Sequence, residues 1–242
     1  MTPAYRKPDA RRLPLQRGLL QITGDTLEGS RESDAFDIVT GPGGDVGVVL
    51  LDVQSRHPDP GDIAQPLLQK AARGFAERTP LHAITLDLVR TLFEFAGTEL
   101  RVTLMRCSAA DARAEITTAG MPPLACVHPG GSITLHPAPS APLTSTTRVP
   151  PPVEVVPLIW GATWMAVSDG FTSGSDHPEL VRRLAQDLEL PERGLTLSGL
   201  SPGALYDLLA SRVSESERFA RDDATLILIG ADPNARFQSG FR

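Results

Sequence analysis

The stretch that decides the fold is Val46-Gly47-Val48-Val49-Leu50-Leu51-Asp52-Val53. It is apolar at almost every position, which is typical of a central strand that is covered on both faces. A second strand-like stretch, Ser33-Asp34-Ala35-Phe36-Asp37-Ile38-Val39, precedes it and is separated from it by the turn-rich linker Gly41-Pro42-Gly43-Gly44-Asp45. The sequence therefore predicts two neighbouring strands, 34–39 and 46–53, each with an aspartate at one end.

The rest of the chain alternates between helical and strand-like patterns. Helical periodicity runs over 62–78, with Asp62 as a possible N-cap, and over 81–96, with Gly97 as the stop. Further strands are predicted at 100–107, 113–118, 123–128, 132–136, 162–168 and 224–230, further helices at 177–190 and 202–214, and a surface loop that crosses between layers over the proline-rich segment 137–157. This order predicts an α+β fold, a four-layer α-β-β-α sandwich of two antiparallel sheets flanked by helix pairs.

Composition excludes several classes of protein. The chain has 242 residues, is 41% hydrophobic and 21% charged, and carries a net charge of -6, which argues against a broad nucleic-acid surface. No apolar run approaches the roughly 20 residues that span a bilayer, so no membrane partner is expected. Two cysteines, Cys107 and Cys126, imply neither a disulfide framework nor a zinc site, and both are interpreted as strand residues of a cytoplasmic protein. We expect a basic N-terminal tail over 1–17, one domain over 18–232 and a C-terminal tail over 233–242.

Four aspartates border predicted strands: Asp34, Asp52, Asp169 and Asp222. Carboxylates that are gathered at one place repel one another unless a positive charge lies between them, and a pair of hard divalent cations is the usual remedy. Such a metal pair activates water and neutralises phosphate, so phosphate chemistry without a protein nucleophile would follow. The alternative is an ordinary turn, because Asp-Gly, as in Asp169-Gly170, is a routine turn dipeptide.

Five segments resemble the bacterial metal-dependent protein phosphatases (PPM, type 2C), in particular the sporulation stage II E branch, and they occur in the family's order over roughly residues 20–231. They are Ser33-Asp34-Ala35-Phe36-Asp37-Ile38-Val39, Leu51-Asp52-Val53, Thr118-Ala119-Gly120-Met121-Pro122-Pro123, Val167-Ser168-Asp169-Gly170-Phe171 and Asp222-Asp223-Ala224-Thr225-Leu226. The resemblance implies a β-sandwich flanked by helix pairs, in agreement with the pattern of predicted elements.

The resemblance also implies a site and a reaction. Asp52 would bridge two Mn²⁺ or Mg²⁺ ions, the Val53 carbonyl would bind one of them, and Asp169 and Asp222 would bind the other. Asp34 would orient metal-bound water or join a third ion, which makes the four aspartates the catalytic set. The implied reaction is hydrolysis of phosphoserine or phosphothreonine by metal-activated water. The implied substrate is a phosphorylated anti-sigma-factor antagonist or stressosome component.

The chain departs from the family pattern directly after Asp52. The family continues with Ser-Gly-His-Gly or a close relative, whereas this chain has Gln54-Ser55-Arg56-His57-Pro58. Arg56 and His57 are either part of a solvated loop or contacts to the substrate phosphate. Arg31 is a weaker phosphate-binding prediction, because its spacing from Asp34 is shorter than that of the corresponding arginine in eukaryotic relatives.

The hairpin segment departs as well, since Thr118 and Met121 replace the family's asparagine and histidine. Two hypotheses follow. The chain is an active phosphatase, or it is an interaction module of the same fold, with little turnover, in the same signalling system.

Overall fold

A computed structural model gives the structure of residues 15–17, 20–27, 33–57, 59–108, 110–129, 132–168, 205–207, 209 and 224–231. Within them, no helix is long and apolar enough to cross a membrane. The elements in chain order are β1 (Leu15–Arg17), β2 (Leu20–Leu27), β3 (Asp34–Thr40), β4 (Val46–Gln54), α1 (Gly61–Ala76), α2 (Leu81–Leu92), β5 (Glu99–Ser108), β6 (Arg113–Ala119), β7 (Leu124–Val127), β8 (Ile133–His136), β9 (Glu154–Pro157), β10 (Thr163–Val167) and β11 (Ala224–Ala231).

The described strands form two antiparallel sheets. Sheet A has the order β1-β2-β11-β10-β7-β8, and sheet B has the order β3-β4-β5-β6-β9. In sheet B, β4 lies between β3 and β5 and is buried along nearly its whole length. The prediction of a central strand that is covered on both faces is therefore confirmed.

Alternation along β4 divides its side chains between two hydrophobic layers. Val48 and Leu50 belong to the layer between the sheets, whereas Val49 and Leu51 pack toward α1 and α2. Gly47 interrupts the apolar run because α1 passes close to the strand at this position. A Cβ at Gly47 would lie 2.4 Å from the ring of Phe75.

A third hydrophobic layer lies on the outer face of sheet A. Met165 and Leu226 of this sheet are clustered there with Leu205 and Leu209, which belong to helical residues 205–207 and 209. Both sheets and the helix pair on sheet B are thus as predicted. On sheet A, the predicted helix 202–214 is described only at these four residues, and the predicted helix 177–190 lies outside the described residues.

Three strands are not predicted by the sequence patterns: β1, β2 and β9. The three residues of β1 end the segment that was predicted as a tail, and β9 occurs within the segment 137–157 that was predicted as a loop. Both are edge strands with a single neighbour, and β9 ends in a proline, so neither shows the apolar run of a central strand. The remaining residues of 137–153 connect the edge of sheet A to the edge of sheet B, as the predicted crossing does.

Two predictions about helix ends are wrong. Pro60, not Asp62, is the N-cap of α1, and Asp62 lies in the first helical turn. The second helix ends at Leu92 rather than at residue 96, and turn residues follow as far as Gly97, whose φ is 78°. Apolar spacing continues beyond the helix through Phe95, which packs against the core from the turn, and this explains the overestimate.

Candidate functional site

One end of the layer between the sheets is polar. On sheet B, Asp34 pairs directly with Asp52, and Asp52 pairs directly with Arg101 on the next strand. Side chains two residues apart share a strand face, so these three residues continue the rows of Phe36, Leu50 and their neighbours that point toward sheet A. Three adjacent strands thus bring two negative charges and one positive charge together.

The two aspartates form a close pair. The Val53 N–H donates to the Ser33 carbonyl at 3.1 Å, so Ser33 and Val53 are a hydrogen-bonded pair and the next pair, Asp34 and Asp52, is of the non-hydrogen-bonded kind. Cα atoms in such a pair are about 4.5 Å apart, and their side chains approach more closely than in the alternate pairs. The backbone ladder therefore fixes two carboxylates side by side.

Asp52 is fully buried, and both of its carboxylate oxygens accept hydrogen bonds. Gln54 Nε2 donates to Oδ1 at 2.8 Å and to Oδ2 at 3.0 Å. Arg101 Nη1 donates to Oδ2 at 3.3 Å, and the Arg101 side chain remains 26% exposed. A buried carboxyl group without such partners would be costly, so Gln54 and Arg101 supply the hydrogen bonds that Asp52 loses when it is buried.

Asp34 is held from the opposite sheet. Thr225 Oγ1 on β11 donates to Asp34 Oδ2 at 2.8 Å, across the layer between the sheets. Thr225 is itself fixed by Ser168, whose Oγ accepts from the Thr225 N–H at 2.9 Å and whose N–H donates to the Thr225 carbonyl at 3.0 Å. Sheet A therefore contacts Asp34 through Thr225, whose backbone is held by Ser168.

Three of the predicted site residues, Asp169, Asp222 and Arg31, lie outside the described residues. The structure does place Ser168, which precedes Asp169 in sequence, and Thr225, which follows Asp222. Thr225 bonds Asp34 directly, and Ser168 bonds Thr225.

Arg56 and His57 are exposed in the loop after β4. The loop is held together by its own polar groups: the His57 N–H donates to Ser55 Oγ at 3.1 Å, and His57 Nδ1 lies 2.8 Å from the Asp59 carbonyl oxygen. Ser55 Oγ in turn lies 3.1 Å from Thr98 Oγ1, at the turn before β5. The loop that replaces the family's Ser-Gly-His-Gly sequence is thus a turn stabilised by polar contacts, directly after the strand that carries Asp52.

The donors at this end fit a hard divalent cation in kind. Asp34 and Asp52 supply carboxylate oxygens, and both side chains are buried. Among the described residues there is no group of three His, Cys, Asp or Glu side chains that could hold a metal ion. Further ligands must therefore come from backbone carbonyls or from residues beyond those described.

The segment after β6, which was predicted to be a hairpin, instead joins β6 of sheet B to β7 of sheet A, and its backbone lies beside Arg101. Gly120 has a φ of 67°, and a Cβ there would lie 2.7 Å from Pro142 Cγ and 2.9 Å from Arg101 Cγ. Met121, which replaces the family's histidine, is buried in the layer between the sheets. The lack of a side chain at Gly120 thus leaves the space that the Arg101 side chain occupies.

Sequence reasoning missed Gln54 and Arg101. The available signal for Arg101 was a charged residue on the same strand face as Met105 and Cys107, within a predicted strand. That signal does not say which residue Arg101 faces, because the register between β4 and β5 is a tertiary property.

The family model described as Stage II sporulation protein E (SpoIIE) matches residues 42–232, which is most of the chain. The chain belongs to the SpoIIE family. This family is of the PPM, or PP2C-like, serine/threonine phosphatase type, so the predicted resemblance is confirmed. A comparison of this SpoIIE-family sequence with curated proteins finds no match.

Solved structures share the fold of this SpoIIE-family chain at low sequence identity. The RsbU and RsbW domains of Rv1364c from Mycobacterium tuberculosis match with a TM-score of 0.70 and 17% identity, over 88% of this chain and 61% of that one. The S. agalactiae serine/threonine phosphatase matches with a TM-score of 0.69 and 14% identity, over 88% of this chain and 100% of that one.

The PP2C phosphatase domain and regulatory-domain fragment of SpoIIE from Bacillus subtilis match with a TM-score of 0.63 and 14% identity, over 88% of this chain and 64% of that one. The present chain thus spans less than two thirds of the length of the first and third of these structures. Together the three matches show a PPM-like fold.

Proposed function

We propose that this chain is a metal-dependent protein phosphatase that hydrolyses phosphoserine or phosphothreonine. The observation that carries the proposal is the buried pair of Asp34 and Asp52, which the register of β3 and β4 fixes side by side at the polar end of the sandwich. Membership of the SpoIIE family adds to this geometry.

In this proposal the metal ligands are Asp52, the carbonyl of Val53, Asp169 and Asp222, and Asp34 orients the attacking water or joins a further ion. The hydrogen bonds that join Ser168 to Thr225 and Thr225 to Asp34 support the inclusion of Asp169 and Asp222, which are near Ser168 and Thr225 in sequence. Two bound Mn²⁺ or Mg²⁺ ions would neutralise phosphate charge and lower the pKa of the attacking water.

The chain's own residues then hold and orient the reacting groups. Thr225 fixes the carboxylate of Asp34 by a hydrogen bond from the opposite sheet, so its orientation does not depend on solvent. The exposed side chains of Arg56 and His57 lie on a turn close in sequence to Asp52, where they would meet the phosphate of an approaching substrate. Arg31 is retained as a weaker contribution to phosphate binding.

We further propose that the substrate is a cytoplasmic phosphoprotein of a bacterial partner-switching system, either an anti-sigma-factor antagonist or a stressosome component. Support comes from similar structures named for RsbU and RsbW domains and for the bacterial stressosome. The net charge of -6 favours a protein substrate over nucleic acid.

The test is Mn²⁺-dependent phosphate release from p-nitrophenyl phosphate and from a phosphoserine peptide. Asp52→Asn and Asp169→Asn should each lower kcat/KM by about 10³-fold, which corresponds to the loss of several kcal/mol of charge stabilisation. Asp37→Asn is the matched control, because Asp37 lies on β3 with its carboxylate bonded to the adjacent Ile38 N–H. Wild-type turnover no faster than that of Asp52→Asn would refute the proposal.

A second function is favoured by one observation: Gln54 and Arg101 already occupy the oxygens of Asp52. In that alternative, the fold binds a phosphorylated partner with little turnover. It predicts that wild type captures the phosphopeptide but releases phosphate no faster than Asp52→Asn, and that grafting Gly-His-Gly into the loop after Asp52 restores turnover.

A further inference from the structure

Arg101 is a cation of the chain itself at the carboxylate that is proposed to bridge the metals. Its Nη1 lies 3.3 Å from Asp52 Oδ2, while Asp34 lies directly opposite Asp52 on the other side. The guanidinium therefore offsets part of the negative charge of the aspartate pair, which is the role otherwise expected of a divalent ion.

The position of Arg101 is built into the fold. The glycine at position 120 leaves room for the side chain, since a Cβ there would lie 2.9 Å from Arg101 Cγ. The start of β5 is also fixed, because Leu100 and Leu143 exchange two backbone hydrogen bonds of 2.8 Å. The crossing segment thus fixes the backbone next to Arg101 through Leu143. Its Pro142 also packs beside Gly120.

Occupancy of Asp52 has a consequence for metal binding. A cation that enters beside Asp52 must either share its oxygens with Gln54 and Arg101 or displace them. It also approaches a guanidinium within a few ångströms, and repulsion between charges at that distance is substantial in a partly buried site. Arg101 reaches solvent, whereas Asp52 does not.

We propose that Arg101 is a positioning residue that competes with the divalent cation for Asp52, so that it holds the carboxylate in the metal-free protein and weakens metal binding. This inference rests on the proposed function, because it takes Asp52 to be a metal ligand. The affinity of this chain for the metal would then depend on Arg101 of β5 as well as on the aspartates.

The experiment is titration of the 242-residue chain with Mn²⁺, followed by the electron paramagnetic resonance signal of free Mn²⁺. Arg101→Gln should bind Mn²⁺ about tenfold more tightly than wild type, since it removes one positive charge next to the ion. Arg101→Lys keeps the charge and should retain the wild-type affinity. Arg106→Gln is the matched control, because Arg106 lies on the same strand and pairs with Glu115 instead.

Each outcome is decisive. Tighter binding by Arg101→Gln, without tighter binding by Arg101→Lys or Arg106→Gln, supports the inference. Equal or weaker binding by Arg101→Gln, with measurable wild-type binding, overturns it and leaves the proposed function standing. If no variant binds Mn²⁺ at millimolar concentration, the proposed function falls and the inference with it. If Arg101→Gln is unfolded without metal, its Mn²⁺-dependent refolding, followed by circular dichroism, gives the same affinity comparison.

Discussion

The two ends of the layer between the sheets differ in chemistry although the same strands build them. At one end, Val46 of β4 pairs with Cys107 of β5, and both are fully buried in the hydrophobic layer. At the other end, the same two strands pair Asp52 with Arg101. The comparison shows that one strand ladder carries buried apolar side chains at one end and a charged pair at the other.

This division separates stability from function. Apolar burial along the strands supplies most of the folding free energy. The charged end must be held in place against the desolvation of its own carboxylates. Variants at the apolar end should therefore change stability alone, whereas variants at the polar end should also change the proposed metal binding.

The largest expected effect concerns the thiols of the apolar interior. Burial, together with the nearby Asp45 carboxylate, raises the pKa of Cys107 to about 12, and burial raises the pKa of Cys126 to about 11. Native protein should therefore react with a thiol-specific disulfide reagent at least about 10³-fold more slowly than protein unfolded in urea. Rapid labelling of the folded chain at pH 8 would show that the two thiols are accessible to the reagent and that the apolar end is not buried.

The same thiols give a pH dependence with a definite sign. The folded state favours the neutral thiol, so this contribution to stability is complete below the unfolded-state pKa of about 8.5 and is lost as the pH rises from there toward 12. Replacement of Cys107 with Ala should flatten that decline in the free energy of unfolding, measured by urea titration between pH 8 and pH 11.

A core truncation at the apolar end should be costly to stability. Ile116 of β6 is fully buried between the sheets, and Ile116→Ala should lower the free energy of unfolding by about 2–5 kcal/mol. Val149→Ala, at a side chain that is 79% exposed, should change it by less than about 0.5 kcal/mol. A loss of Mn²⁺ affinity in folded Ile116→Ala would contradict the separation of the two ends.

The connection between β6 and β7 beside Arg101 should be sensitive to a single added methyl group. Gly120→Ala places a Cβ within 2.7 Å of Pro142 at a φ of 67°, which should cost about 1–3 kcal/mol of stability. Because the same Cβ crowds Arg101, this variant should also alter Mn²⁺ affinity, as measured by the titration above. Gly97→Ala is the comparison, since a Cβ at Gly97 meets no atom within 4 Å although its φ is also positive.

The smallest effect is expected at Gln54. Gln54→Ala removes both amide hydrogen bonds to Asp52 and should lower the free energy of unfolding by about 0.5–1.5 kcal/mol. Glu99→Ala is the matched control, because Glu99 is exposed and pairs with Gln54 across β4 and β5. Equal losses in the two variants would show that the amide contributes nothing specific at the polar end.

Much of the fold could be predicted because local patterns reflect burial directly. The run from Val46 to Val53 is typical of a central strand, and the periodicity after it predicted α1 and α2. The edge strands β1 and β9 could not be predicted in this way. Each has a single neighbouring strand, so it is less buried and needs no continuous apolar run.

The sequence by itself determined the two-sheet sandwich and the placement of Asp34 and Asp52 at strand ends, because apolar periodicity and strand ends are local properties. Only the tertiary structure decided what surrounds Asp52. Arg101 is 49 residues away in sequence, and it meets Asp52 because the register of β4 and β5 places the two opposite each other. Register depends on which faces of two strands are buried together, and that choice is made by the packed sheets rather than by either strand alone.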